Sequence, residues 1–157
     1  MPKIVLINPD IPQNTGNIGR LCVGLDWELH LVHPMGFVLS DKQIRRSGLD
    51  YWGHLKVVEH NSLAQFLEKH GKERLFFFTT KTKKLYTDVS YQKDDFLIFG
   101  SEARGLPEDL LKDYWDQALT IPMPGKVRSL NLANSVAVVA YETYRQLALP
   151  DLRMKIT

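Results

Sequence analysis

Short apolar runs alternate with stretches of helical period along this chain. Lys3 to Ile7, Glu28 to Val32 and Leu55 to Val58 read as strands, as do Leu75 to Thr79, Phe96 to Phe99 and Ala118 to Ile121. After the first strand, Ile18, Leu21, Cys22 and Leu25 recur at i, i+3, i+4, i+7, the spacing of one helix face. Asn61-Ser62 offers an N-cap to a helix carrying Leu63, Phe66 and Leu67, and Pro107 suits the first turn of a short helix through Leu111. Leu130 to Leu147 predicts a long helix with Ala133, Val136, Ala137, Ala140, Tyr144 and Leu147 on one face. This alternation predicts an α/β fold, a mostly parallel sheet flanked by helices. Ligands of such sheets collect at the carboxyl ends of the strands. The loops 8–19, 79–84, 100–107 and 122–131 all follow strands, so one composite site is expected.

Bulk properties narrow the class. At 157 residues, 44% hydrophobic and 24% charged, the chain is expected to be one globular domain spanning 1–157. No apolar run approaches the about 20 residues that cross a bilayer, and the opening run is too short for a signal peptide. A single cysteine, Cys22, excludes an internal disulfide framework and fits a reducing, cytoplasmic setting. It falls on an apolar helix face and reads as core. Net charge is only +2, but Lys42, Arg45 and Arg46 cluster, as do Lys81, Lys83 and Lys84. Each group stands beside a suspected site loop, where it could meet phosphates.

Three segments concentrate chemistry. Ile11-Pro12-Gln13-Asn14-Thr15-Gly16-Asn17-Ile18-Gly19-Arg20 leads glycines and short polar residues into a helix, whose free N–H groups would favour an anion. It lacks the three-glycine dinucleotide fingerprint, which argues against a nucleotide-binding oxidoreductase. Phe99-Gly100-Ser101-Glu102-Ala103-Arg104-Gly105-Leu106 ends an apolar strand in a loop where Gly100 would admit a ligand close to the backbone. Glu102 either pairs with Arg104 or holds a ribose or a cation. In the third segment, Ile121 to Ser135, two prolines and a glycine stiffen the loop. Ser129, Asn131, Asn134 and Ser135 then crowd a helix start beyond what capping needs, so they are expected to face a ligand. His30, His33, His54, His60 and His70 show no metal-ligand spacing along the chain, so no metal is expected.

Together these segments, with Asp41 to Tyr51 (DKQIRRSGLDY), resemble the motifs of the SPOUT superfamily of RNA methyltransferases in its TrmH-like branch. The similarity is greatest to the small single-domain TrmL/YibK group, which acts on tRNA, and it runs nearly end to end. Ser101-Glu102-Ala103 stands where that family often has Pro-Glu-Thr. The resemblance implies a deep C-terminal trefoil knot, a homodimer, and no separate RNA-binding domain. It implies 2′-O-methylation of the ribose of wobble nucleotide 34 in the tRNA anticodon stem-loop. S-adenosyl-L-methionine would be the donor and S-adenosyl-L-homocysteine the product. The cofactor would lie among Phe78, Thr79, Gly100, Glu102, Ile121, Met123, Ser129 and Leu130. Arg20, Tyr141, Ser129 and Asn131 would be catalytic. Asn14, Arg20, Lys42, Arg45, Arg46 and Lys81 would contact RNA. The family favours the arginine as base. A guanidinium, however, stays charged at ordinary pH and suits a phosphate clamp better, which makes Tyr141 the candidate base. Other readings are methylation of another tRNA or rRNA nucleotide, or a non-catalytic RNA-binding module.

Overall fold

A computed structural model describes residues 1–39 and 50–148. Six strands form one wholly parallel sheet: β1 (Lys3–Ile7), β2 (Glu28–Val32), β3 (Lys56–His60), β4 (Leu75–Phe78), β5 (Phe96–Phe99) and β6 (Ala118–Leu119). Their spatial order is β3-β2-β1-β5-β4-β6. The described helices are α1 (Pro12–Leu25), α2 (Leu63–His70), α3 (Glu108–Asp113) and α4 (Leu132–Leu147), with 3₁₀ turns at Asp50–His54 and Trp115–Gln117.

Strand alternation sorts the core into two layers. Ile4, Leu6, Leu29, Leu31, Leu97 and Phe99 face Ile18 and Cys22 of α1 and Val136, Val139 and Ala140 of α4. Val5, Ile7, Val32, Phe77, Phe96 and Ile98 face Phe66 of α2 and Leu110 and Leu111 of α3. Helices on both faces explain why β4 and β5 are buried at every position and read as unbroken apolar runs. Cys22 is core as expected, and burial pushes its thiol pKa up to about 12.

Most element boundaries agree with the sequence reading to a residue or two, and Ser62 caps α2 by accepting from the Gln65 N–H. Some expectations are corrected. The segment 12–19 is helix, not loop: α1 begins at Pro12, which suits a first-turn position where an N–H would have no intrahelical partner. Position 19 within that helix is glycine because a Cβ there would come within 2.9 Å of Trp52 and 3.0 Å of Leu55. In α4 the buried line is Val136, Val139, Ala140 and Thr143, while Tyr141 faces out. Pro107 stands at the N-cap of α3 rather than within it.

Tertiary bonds anchor α4. The Tyr91 N–H donates to Gln146 Oε1 (3.0 Å) and Gln146 Nε2 donates to the Val89 carbonyl (3.2 Å), fastening α4 to the long connection between β4 and β5. The same connection meets the far strand where Leu85 bridges Thr120. At its end the fully buried Asp95 accepts from Arg74 Nε and from the Gln92 N–H, each at 2.7 Å.

Candidate active site

The carboxyl ends of β1, β4, β5 and β6 open into one cavity of about 520 Å³, a size usual for small-molecule sites. Its floor comes from Phe78 and Phe99, its sides from Ile121, Met123, Leu130 and Leu132. All eight residues expected around a cofactor line it: Phe78, Thr79, Gly100, Glu102, Ile121, Met123, Ser129 and Leu130. Asn14, Lys81 and Asn131 line it as well.

A hydrogen-bond chain joins the three sequence segments at this cavity. Glu102 Oε2 accepts from the Asp10 N–H (2.7 Å), and Oε1 accepts from the Ile11 N–H (3.1 Å) and from Asn14 Nδ2 (3.1 Å). Asn14 Oδ1 accepts from Asn131 Nδ2 (3.0 Å), and Asn131 Oδ1 in turn accepts from the Ala133 and Asn134 N–H groups at the start of α4. Glu102 therefore sets the entry to α1, and Asn131 sets the entry to α4. The hydrogen bonds of Glu102 go to this junction rather than to Arg104, whose own N–H donates to Ser101 Oγ. Asn14, expected to touch RNA, is 6% exposed with both ends of its amide engaged.

Gly100 is required for a different reason than expected. A Cβ there would lie 2.0 Å from the Gly105 carbonyl carbon and 2.3 Å from the Leu106 nitrogen. The loop folds back on itself, with the Gly105 N–H donating to the Ser101 carbonyl (2.9 Å) and Gly105 at a φ of 67°. The close approach is of backbone to backbone. It shapes the cavity wall.

The remaining expected residues separate. Of the four polar residues at the α4 start, Ser129, Asn131 and Ser135 line the cavity and Asn134 does not. Arg20 and Tyr141 do not line it either. Arg20 follows Asn14 by six residues, about 9 Å along α1 and on another face, and its guanidinium stands 5.7 Å from the Tyr51 ring centre. Tyr141 is 58% exposed on the outer side of α4. Lys81 Nζ is 3.1 Å from Glu108 Oε1, and Lys84 Nζ donates to the Asp116 carbonyl. Lys42, Arg45 and Arg46 lie outside the described residues. The sequence reading missed Arg104 and Arg128 as wall residues. The signal was present: the loops 100–107 and 122–131 each carry a guanidinium, which with Lys81 makes the cavity rim cationic.

Asn131→Ala is expected to cost about 1–2 kcal/mol, because the cap of α4 is lost and Asn14 loses its partner. A urea melt checks this. An unchanged midpoint would show that the junction carries no stability.

The SpoU rRNA Methylase family model matches residues 1–141. The tRNA (cytidine(34)-2′-O)-methyltransferase of Escherichia coli (strain K12) is 48% identical over 151 residues, covering 96% of each chain. A solved structure described as "Structural insights into the 2-OH methylation of C/U34 on tRNA" is 47% identical with a TM-score of 0.88, covering 94% of this chain and 96% of that one. The SpoU methyltransferase AviRb from Streptomyces viridochromogenes, solved in complex with AdoMet, shares the fold at a TM-score of 0.76 and 23% identity. That match covers 93% of this chain and 57% of AviRb.

Proposed function

This chain belongs to the SpoU rRNA methylase family, and we propose that it methylates the ribose 2′-hydroxyl of nucleotide 34 in tRNA, using S-adenosylmethionine. The observation that carries this reading is the junction Glu102–Asn14–Asn131, which draws three loops around one cavity at the strand ends. Near-full-length identity to the Escherichia coli enzyme supports the choice of nucleotide.

The cavity's donor set fits the cofactor. Phe78, Ile121 and Leu130 give apolar walls for an adenine ring, and backbone groups at Ile121 and Met123 can meet its polar edge. Ser129, Asn131 and Ser135 stand together on the α4 side, where hydroxyls and amides can orient a ribose. Bound there, S-adenosylmethionine supplies a methyl carbon made electrophilic by its sulfonium. The protein's own tasks are then to align the ribose oxygen, exclude water and accept one proton.

Arg20 and Tyr141 enter through a second copy of the chain. Helix α1 packs against α4, and Gln13, Asn17, Arg20 and Gly24 of α1 and Tyr141 of α4 are exposed, with Ala137 and Val138 half-buried. A homodimer formed there would carry the guanidinium and phenol of one chain toward the cavity of the other. Arg20 would clamp a phosphate and steady the developing charge, while Tyr141 would take the proton. Tyr141→Phe is accordingly expected to slow single-turnover transfer by about 10²-fold, the lower end of general-base effects, with cofactor affinity kept. An unchanged rate removes Tyr141 as base.

We read the C-terminal third as threading a trefoil knot, with the last described helix fastened to the β4–β5 connection by Gln146. Lys42, Arg45 and Arg46 would hold the anticodon arm through phosphates. Binding should then weaken steeply with salt, and Arg45→Ala with Arg46→Ala should flatten that dependence. If the double variant bound tRNA as wild type does at every salt concentration, these residues would not contact the arm.

The test is direct. Purified protein, S-adenosylmethionine and unmodified tRNA are incubated, and the tRNA is digested and mapped by mass. A 14 Da gain confined to the ribose of nucleotide 34 is expected from the mass of one added methylene. A gain at another nucleotide would overturn the assignment.

A further inference from the structure

We propose that His30, His60 and His70 form a binding site for a divalent transition metal such as Zn²⁺, beside Phe66 and Phe96 and apart from the cofactor cavity. Sequence spacing conceals this cluster, because the three residues are 30 and 10 positions apart. Folding brings them together. His30 on β2 and His60 on β3 share a face, with His30 Nδ1 and His60 Nε2 2.9 Å apart. His70 closes the group from the last residue of α2. One ring nitrogen from each lies within 4.8 Å of the others. Zn–N bonds of about 2.0–2.1 Å in a tetrahedron put ligand nitrogens about 3.4 Å apart. Small side-chain rotations therefore suffice to gather all three.

The outer nitrogens are already oriented as metal-bound histidines are. His30 Nε2 lies 3.3 Å from Glu28 Oε2, and His70 Nδ1 lies 3.0 Å from Glu73 Oε1. A carboxylate on the far nitrogen fixes the tautomer, leaves the inner lone pair free, and raises ligand basicity. For His70 that inner nitrogen, Nε2, is buried with no hydrogen-bond partner. An orphaned buried acceptor is costly and rare, and a metal ion would satisfy it. His60 Nε2 needs only to pass its proton to its own Nδ1. No proton need leave the site, and Glu28 and Glu73 offset the charge of the dication.

The surroundings fit a closed pocket with one open side. Phe66 and Phe96 wall the cluster, with ring centres 5.2 Å from His60 and 4.8 Å from His70 respectively. The His70 side chain keeps 12% exposure, which gives an entry path from solvent. Three imidazoles select zinc, cobalt, nickel or copper over magnesium or calcium. Bound there, the ion would staple β2 and β3 to the end of α2.

The test uses full-length protein freed of metal by chelator and dialysis, titrated with Zn²⁺ by calorimetry and with Co²⁺ by visible absorption. One ion per chain is expected with a Kd of about 1 µM or tighter, tetrahedral Co²⁺ bands, and a Tm that rises with added Zn²⁺. His70→Gln, at the exposed edge of the cluster, should weaken binding by about 100-fold or more, and so should His60→Gln. His33→Gln, outside the cluster, should change nothing. Absence of binding at about 100 µM Zn²⁺, or equal affinity in His70→Gln, would overturn the proposal. Should His60→Gln fail to fold, His70→Gln decides alone.

Discussion

Glu102→Ala is expected to cut single-turnover methyl transfer by about 10²-fold or more while costing only about 2 kcal/mol of stability. The carboxylate accepts from two backbone N–H groups before α1 and from the Asn14 amide. Hydrogen bonds to a charged acceptor contribute about 1.5–3 kcal/mol each where water cannot replace them. Here Asp10 and Ile11 are exposed, and water takes over much of that role, which keeps the stability cost well under the sum. Catalysis has no such substitute. Without Glu102, Asn14 is held from one side only, and Asn131 loses a fixed partner at the start of α4. The walls carrying Ile11, Ser129 and Ser135 are then free to drift, and misplacement of about 1 Å in an aligned transfer costs about 10²-fold. Glu102→Gln, which keeps one acceptor oxygen, should fall between. Quench-flow with radiolabelled donor, alongside a urea melt of each variant, checks the dissociation of rate from stability. A wild-type rate in Glu102→Ala would mean that the junction does not shape the site.

Gly100→Ala is expected to be the most destabilising single change in the site, at about 3 kcal/mol or more. The added methyl would overlap the Gly105 carbonyl carbon at 2.0 Å, its oxygen at 2.3 Å and the Leu106 nitrogen at 2.3 Å. All three are backbone atoms, and no rotamer change relieves them. The loop must open, which pulls Leu106 out of the core layer that packs on Phe66 and unmakes the cavity wall. Gly125→Ala is the control, since a Cβ there meets nothing within 4 Å. It should be neutral or mildly stabilising. Thermal melts of the two variants side by side give the comparison, and equal Tm values would contradict the close approach.

The fold was largely legible because each strand and helix carries its own period, and burial on both sheet faces left β4 and β5 as plain apolar runs. The loops after the parallel strands converge on one cavity, as their positions predict. What stayed hidden was relation across distance. Gly16 and Gly19 suggested a loop, since the reason for Gly19 is a pair of side chains, Trp52 and Leu55, that only the tertiary structure brings near. Glu102 looked like a ligand for a ribose or a partner for Arg104, because its real partners stand 88 to 92 residues earlier. Arg20 and Tyr141 were grouped with the pocket by motif alone, and within one chain they face outward. The histidine cluster was invisible for the same reason, as β2, β3 and α2 each contribute one ring.

S-adenosylmethionine is expected to occupy the cavity at the strand ends. The most direct measurement is calorimetric titration of the methyl donor into wild type and into Leu130→Trp, a change that fills the cavity from its half-buried wall. Wild type should bind one molecule per chain, and the tryptophan variant should keep a cooperative melt while losing at least about 100-fold in affinity, the equivalent of about 2.7 kcal/mol. Equal affinity in the two proteins would place the cofactor elsewhere and contradict the account.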